Sequence, residues 1–230
     1  MLFVSDIRKT YFYRPVLKSV SFSVQLGEVV GVLGKNGAGK STLFRIISGI
    51  ASLDKGTVKV GESSVASGNI HPRKKLFYIG HAPGLYPSLS AVENLSLALS
   101  LRNIDVSETT ILDALAKVQL SSQADDAIKI YSQGMLQRLK LALCDVIPWT
   151  ILLIDEPFTG LDTQGRSLAE KMIDGWKSSE KSIMMVVHDM AWAIENCSRI
   201  LVIHEGVIGL DKQTENHAVD IQAYYDGLMV

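Results

Sequence analysis

Gly34-Lys35-Asn36-Gly37-Ala38-Gly39-Lys40-Ser41, followed by Thr42, is the stretch on which the fold of this chain turns. Two glycines stand five residues apart, and the second is followed directly by a lysine and a hydroxyl. An apolar run, Val29 to Leu33, precedes the stretch. Leu43, Phe44, Ile46 and Ile47 come after it at helical spacing and stop at Gly49. The setting is therefore strand, loop, helix. In that setting glycines let successive backbone N–H groups turn inward around phosphate oxygens, and the helix offers its positive end. Lys40 adds a mobile point charge, and Ser41 stands where a hydroxyl reaches a Mg²⁺ ion. The bland alternative is a glycine-rich turn before an ordinary helix.

Two more apolar runs match the first. Ile151 to Ile154 and Ile183 to Val187 are, like Val29 to Leu33, too continuous for strands with one wet face, and they read as buried strands of a parallel sheet. Each run ends abruptly in chemistry: Asp155-Glu156 after one, His188-Asp189 after the other. Parallel α/β sheets bind ligands outside the carboxyl ends of their strands, so the three polar clusters are expected to converge. Two adjacent carboxylates supply what phosphoryl hydrolysis needs. Asp155 is assigned to hold a hydrated metal and Glu156 to polarise an attacking water. His188 is positioned to donate to a terminal phosphate oxygen. Taken singly, an acidic strand end is usually just solvated, and a strand-end histidine is more often structural.

From about Ser88 to Ile147 the period changes to that of helices. Ser90-Ala91-Val92-Glu93 has capping-box form, with Val92, Leu95 and Leu99 on one face. Ser107 opens a second helix carrying Ile111, Leu115 and Val118. Ser132 opens a third with Leu136, Leu139, Leu143 and Ile147 on one stripe. The expected organisation is one domain, with residues 1–87 and 148–230 as an α/β core and 88–147 as a helical subdomain.

Composition narrows the function classes. With 47% hydrophobic and 20% charged residues, the 230-residue chain can bury a sizeable core. Its 23 basic and 24 acidic residues nearly cancel, so no basic field exists for a nucleic-acid backbone, and no nucleic acid is expected as a partner. Cys144 and Cys197 have neither metal-site spacing nor disulfide density, which points to a reducing compartment. The opening Met1-Leu2-Phe3-Val4-Ser5-Asp6 shows no basic-then-apolar signal. The richest apolar stretch, Leu141 to Ile154, is broken by Asp145 and Pro148, so any membrane role is expected to run through a partner.

With that loop, Tyr131-Ser132-Gln133-Gly134-Met135-Leu136-Gln137-Arg138 and Asp155-Glu156-Pro157 in this order, the chain resembles an ABC ATPase domain over about residues 2 to 210. The resemblance implies a P-loop NTPase sheet core, an ABC-type helical subdomain and an N-terminal antiparallel β region. It implies ATP and Mg²⁺ as cofactors. ATP is then bound by Tyr11, as the aromatic that stacks on adenine, and by Gly34, Lys35, Asn36, Gly37, Ala38, Gly39, Lys40, Ser41 and Thr42; Phe12 and Tyr13 are close rivals of Tyr11. Ser41 and Asp155 serve the metal, and Glu156 and His188 the catalysis.

The Ser132 segment resembles the family's signature, usually written LSGGQ followed by Gln-Arg. Ser132 and Gly134 are retained, and Gln133 and Met135 depart from it. A serine there is also an ordinary helix cap. In the family the signature faces the P-loop of a second copy. That implies contacts in trans from Ser132, Gly134 and Asp162, the last in a Thr159-Gly160-Leu161-Asp162 interface loop. The implied partners are a second ATPase subunit, by preference identical, and an integral membrane permease that holds the chain on the inner face of the cell membrane.

The family's metal-contacting glutamine is missing; His81 and Ala82 stand in its region. Gly80-His81-Ala82-Pro83-Gly84-Leu85 together with Glu156-Pro157-Phe158-Thr159-Gly160-Leu161-Asp162 is similar to the ATP-binding subunit of the haem exporter of cytochrome c maturation, a pattern shared with drug and polysaccharide exporters. Two other readings stand beside transport: a non-transport ABC ATPase of assembly or repair, and a nucleotide-gated module with little turnover.

Overall fold

The computed structural model describes residues 1–65, 70–81 and 84–229. It groups them into two units. The first comprises Met1–Tyr78, Trp149–Glu156 and Lys177–Val230, and the second Ile79–Pro148 and Pro157–Trp176.

The first unit is built on a sheet whose two halves obey different rules. β1 (Leu2–Tyr11), β2 (Arg14–Val24), β4 (Lys55–Val60) and β5 (Ser63–Ser64) pair antiparallel, and β1 alternates buried and exposed side chains along much of its length. One wet face allows that alternation. By contrast β3 (Val29–Leu33), β7 (Ile151–Asp155) and β8 (Ser182–Val186) are buried at every residue, and they pair parallel in the order β3-β8-β7. β9 (Arg199–His204) lies parallel on the other side of β3, and β10 (Val207–Gln213) joins it to β2. β6 (Leu76–Ile79) comes after the short α2 (Ile70–Lys74) and closes the order β5-β4-β1-β2-β10-β9-β3-β8-β7-β6.

α1 (Lys40–Ile47) buries Leu43, Phe44, Ile46 and Ile47 in one core with Val30, Val32, Leu153, Met184 and Leu201. Burial of such side chains is worth about 1.5–3 kcal/mol each, which holds the helix start against the ends of the central strands. α7 (Met190–Asn196), capped by Asp189, packs on β3 and β9; α8 (Ala218–Met229) packs on β10.

The second unit is helical. α3 (Ala91–Ser100) begins in the complete Ser90/Glu93 capping box, α4 (Glu108–Lys117) on Ser107, and α5 (Gln133–Val146) on Ser132, whose hydroxyl accepts from Met135 N. α6 (Thr163–Trp176) completes it. One expectation needs correction. The stripe on α5 is not purely apolar: Leu136 is only half-buried, while Gln137 and Lys140 are buried with Leu139 and Leu143. Among the described residues no helix is long and apolar enough to cross a membrane.

Candidate active site

Register fixes how the three strand ends meet. Val186 of β8 is the rung opposite both Val32 of β3 and Asp155 of β7, so Gly34, Glu156 and His188 all leave the sheet within two residues of one rung. The ladder continues briefly past it, with Glu156 N donating to Val186 O (3.1 Å) and Val187 N to Val32 O (3.2 Å).

The loop from Gly34 to Gly39 takes its path from its glycines. Gly34 and Gly39 have φ of 146° and 105°, and a Cβ at Gly34 would strike the carbonyl of Ile203. One at Gly39 would lie 2.7 Å from Leu17 Cδ2. Gly37 (φ 82°) has open space around it, so there the requirement is backbone freedom alone. Lys35 and Asn36 are exposed, Ala38 is buried, and Ser41 and Thr42 lie half-buried in the first turn of α1.

Lys40, 7% exposed, donates to the carbonyls of Gly34 (2.7 Å) and Lys35 (3.0 Å). Two of its three hydrogens thus hold the loop closed, and the ammonium sits at the loop's centre. Burial pulls its pKa below the ordinary lysine value, while the charges of Glu156 and then Asp155 push it back up.

Asp155 is 2% exposed, and neither carboxylate oxygen makes a hydrogen bond of full geometry; the neighbouring Tyr78 hydroxyl supplies at most a weak one. An orphaned buried carboxylate is costly unless a ligand completes it. Glu156 comes next in the left-handed region at φ 58°, a strained conformation for a non-glycine residue, and its Oε1 lies 2.9 Å from His188 Nε2. Tyr78, which no motif in the sequence singles out, is edge-on to Phe44; burial and the charge of Asp155 raise its pKa, and Arg45 opposes them.

Tyr11 ends β1, 39% exposed, with Lys9 Nζ 5.1 Å from its ring centre. Phe12 and Tyr13 form the two-residue hairpin turn, 95% and 100% exposed, both with positive φ (47° and 65°). Only Tyr11 of the three has a backed ring face in a regular strand.

The remaining sequence-predicted residues belong to the second unit. Ser132 is the α5 cap, and Gly134 lies so close to the carbonyl of Gly160 that a Cβ would sit 2.9 Å from it. Asp162 Oδ1 accepts from Gly165 N (2.7 Å), the bond of a cap on α6. His81 is exposed; Ala82 and Pro83 lie outside the described residues.

Residues 17–159 match the protein family described as ABC transporter. The chain belongs to the ABC transporter family. It is similar to the lantibiotic transport ATP-binding protein SrtF of Streptococcus pyogenes, 33% identical over 93% of this chain and 91% of that one. It is also similar to the cytochrome c biogenesis ATP-binding export protein CcmA of Vibrio cholerae, 31% identical over 84% and 93%. Among solved structures, an ATP binding subunit of an ABC transporter matches at 26% identity with a TM-score of 0.89 and full coverage of both chains. This ABC chain is an ATP-binding transporter subunit with the cassette fold of that structure. Relatives of similar identity range from lantibiotic transport to cytochrome c biogenesis, so similarity at this level tracks the shared ATP-binding fold and not a cargo.

A Mg²⁺ ion suits what this ABC chain offers. Mg²⁺ keeps several waters and takes one or two protein oxygens beside phosphate, and Asp155 presents two orphaned oxygens near Lys40. Among the described residues no three His, Cys, Asp or Glu side chains gather as a cage for another metal.

Proposed function

We propose that this chain is the ATP-hydrolysing subunit of a transporter, working as a dimer with a second, by preference identical, copy and driving a separate membrane permease. In this reading the Gly34–Thr42 loop and Lys40 grip the triphosphate, Ser41 and Asp155 serve Mg²⁺, and Tyr11 stacks on the base. Glu156 polarises the attacking water, and His188 orients Glu156 and contacts the terminal phosphate. Ser132, Gly134 and Asp162 reach the nucleotide of the second copy. Residues 88–147 act as the helical subdomain that presents Ser132 and Gly134. Closure around ATP draws the permease subunits together and hydrolysis releases them, with export the favoured direction. The permease then holds the chain at the inner membrane face.

The observation that carries this reading is the convergence of Lys40 with Asp155 and Glu156, and the 2.9 Å bond of Glu156 to His188, at strand ends that share one rung. The test is steady-state MgATP turnover of wild type and Glu156→Gln. We expect turnover of order 1–10 per second in wild type and at least about 100-fold less in the variant, which should accumulate as an ATP-held dimer on size exclusion. Equal, negligible rates in both proteins would leave a nucleotide-gated module instead.

A further inference from the structure

α5 buries polar chemistry where a core helix ordinarily buries carbon. Residues 133, 137 and 140 are spaced four and three apart and therefore share a face. They are Gln133, Gln137 and Lys140, the last two only 5% and 4% exposed.

Each grips a loop. Gln133 lies over Gly160, where φ is 77° and a Cβ would sit 2.7 Å from Gln133 Cγ. Gln137 Nε2 donates to Pro157 O (2.9 Å). Lys140 Nζ donates to Gly80 O (3.1 Å) and His81 O (2.9 Å), the two residues directly after β6.

A buried ammonium costs several kcal/mol unless strong acceptors compensate it, and Lys140 stands among Leu139, Leu141, Ala142 and Leu143, where an aliphatic side chain carries no such cost. The lysine is the exception in an otherwise apolar turn, and two of its bonds go to backbone carbonyls. The turn it holds opens the sequence region in which the family's glutamine is missing.

We infer that Lys140 is a positioning residue: its ammonium pins the Gly80–His81 backbone to the helix that begins at Ser132, so that this turn, the Pro157–Gly160 loop and the signature serine respond to nucleotide as one body. This role rests on the proposed reading of Ser132 as a nucleotide contact.

The full chain is assayed as wild type, Lys140→Met and Lys140→Arg, well below each variant's melting midpoint. Lys140→Met should keep KM for MgATP within about twofold while kcat falls about tenfold, and Lys140→Arg should recover most of kcat. In nucleotide-free protein the carbon-13 carbonyl resonances of Gly80 and His81 should move in Lys140→Met, with those of Gly37 and Gly39 unchanged. Wild-type kcat in a folded Lys140→Met, a parallel loss in KM, or unaltered carbonyl resonances at residues 80–81 each overturns the role. A wild-type chain without turnover overturns the underlying functional reading and the role with it, whereas shifted carbonyl resonances in Lys140→Met still mark the pinning as real; the two failures therefore look different.

Discussion

Glu156 and His188 are joined by a 2.9 Å contact between Oε1 and Nε2, although 32 residues separate them in the chain. The bond exists because β7 and β8 are adjacent parallel strands that end on the same rung. His188 is half-exposed, Glu156 less so, and the glutamate's left-handed backbone aims its carboxylate away from the strand direction. A general base held by a neighbour loses catalysis and not substrate affinity when the neighbour is removed. His188→Ala should therefore lower kcat about 100-fold, while loss of its proposed contact to the terminal phosphate weakens MgATP by at most about tenfold. Steady-state kinetics paired with nucleotide titration checks this, and a rise in KM at constant kcat would move His188 to ground-state binding.

Asp155 poses a trade between stability and activity. Its two buried oxygens find no hydrogen-bond partner of full geometry among the protein's own groups. Asp155→Asn removes that uncompensated charge with little change of shape. The variant should melt higher without ligand, by about 1–3 kcal/mol in unfolding free energy, and lose Mg²⁺-dependent turnover. The extra stabilisation that MgATP gives wild type should shrink in parallel. Thermal melts in chelator and in MgATP measure both effects; a lower melting point without ligand would show that the carboxylate is satisfied after all.

The strand cores and helix caps were legible in the sequence because each is set by neighbours a few residues away. Val29–Leu33 reads as a strand from its own apolarity, and Ser90, Ser107 and Ser132 read as caps from the helical periodicity that begins just after each of them. Lys140 and Asn94 were not legible. Asn94 is buried because it binds Tyr86 N (2.8 Å), the carbonyls of Tyr86 and Leu89, and that of Ser90 (2.8 Å). Lys140 is buried because its acceptors lie about sixty residues away. Helical period alone gave Leu136 the inward position, and only tertiary partners explain why polar Gln137 and Lys140 are buried instead. Tyr78 likewise shows its bearing on Asp155 only once β6 and β7 are in one sheet.

The loop glycines separate by mechanism. Gly34→Ala drives a methyl into the Ile203 carbonyl at a φ that L residues avoid, and should cost at least about 3 kcal/mol and most of the soluble folded protein. Gly37→Ala meets nothing within 4 Å and should cost only the backbone term of about 1–2 kcal/mol. Lys40→Ala should leave the fold intact and weaken ATP about 100-fold, since its charge-assisted bonds are worth about 1.5–3 kcal/mol. Chemical denaturation and nucleotide titration together distinguish the three. Unchanged ATP affinity in Lys40→Ala would remove the phosphate assignment.

Asp54 ties the chain beyond α1 to the strand that carries Tyr11. Its carboxylate accepts from Thr10 N (2.7 Å) and from Lys9 Nζ (3.2 Å), and Lys9 in turn lies over the Tyr11 ring. The Thr10 backbone bond, then the Lys9 side-chain bond, hold the Asp54 pKa below its ordinary value. For a carboxyl lowered on folding, the stabilisation is fully present above the unfolded pKa of about 3.9 and disappears as pH falls through the lower folded value. Asp54→Asn should therefore melt below wild type at pH 7, and the gap should close as pH drops below about 4. Because the same bonds fix the strand end that carries the proposed base-stacking Tyr11, Asp54→Asn should also weaken ATP modestly, while Tyr11→Ala should weaken it about tenfold, the low end of the roughly 1–3 kcal/mol a stacked base contributes. Melts across pH and titration at pH 7 measure the pair. A gap that widens in acid would reverse the sign and remove Asp54 from the support of Tyr11.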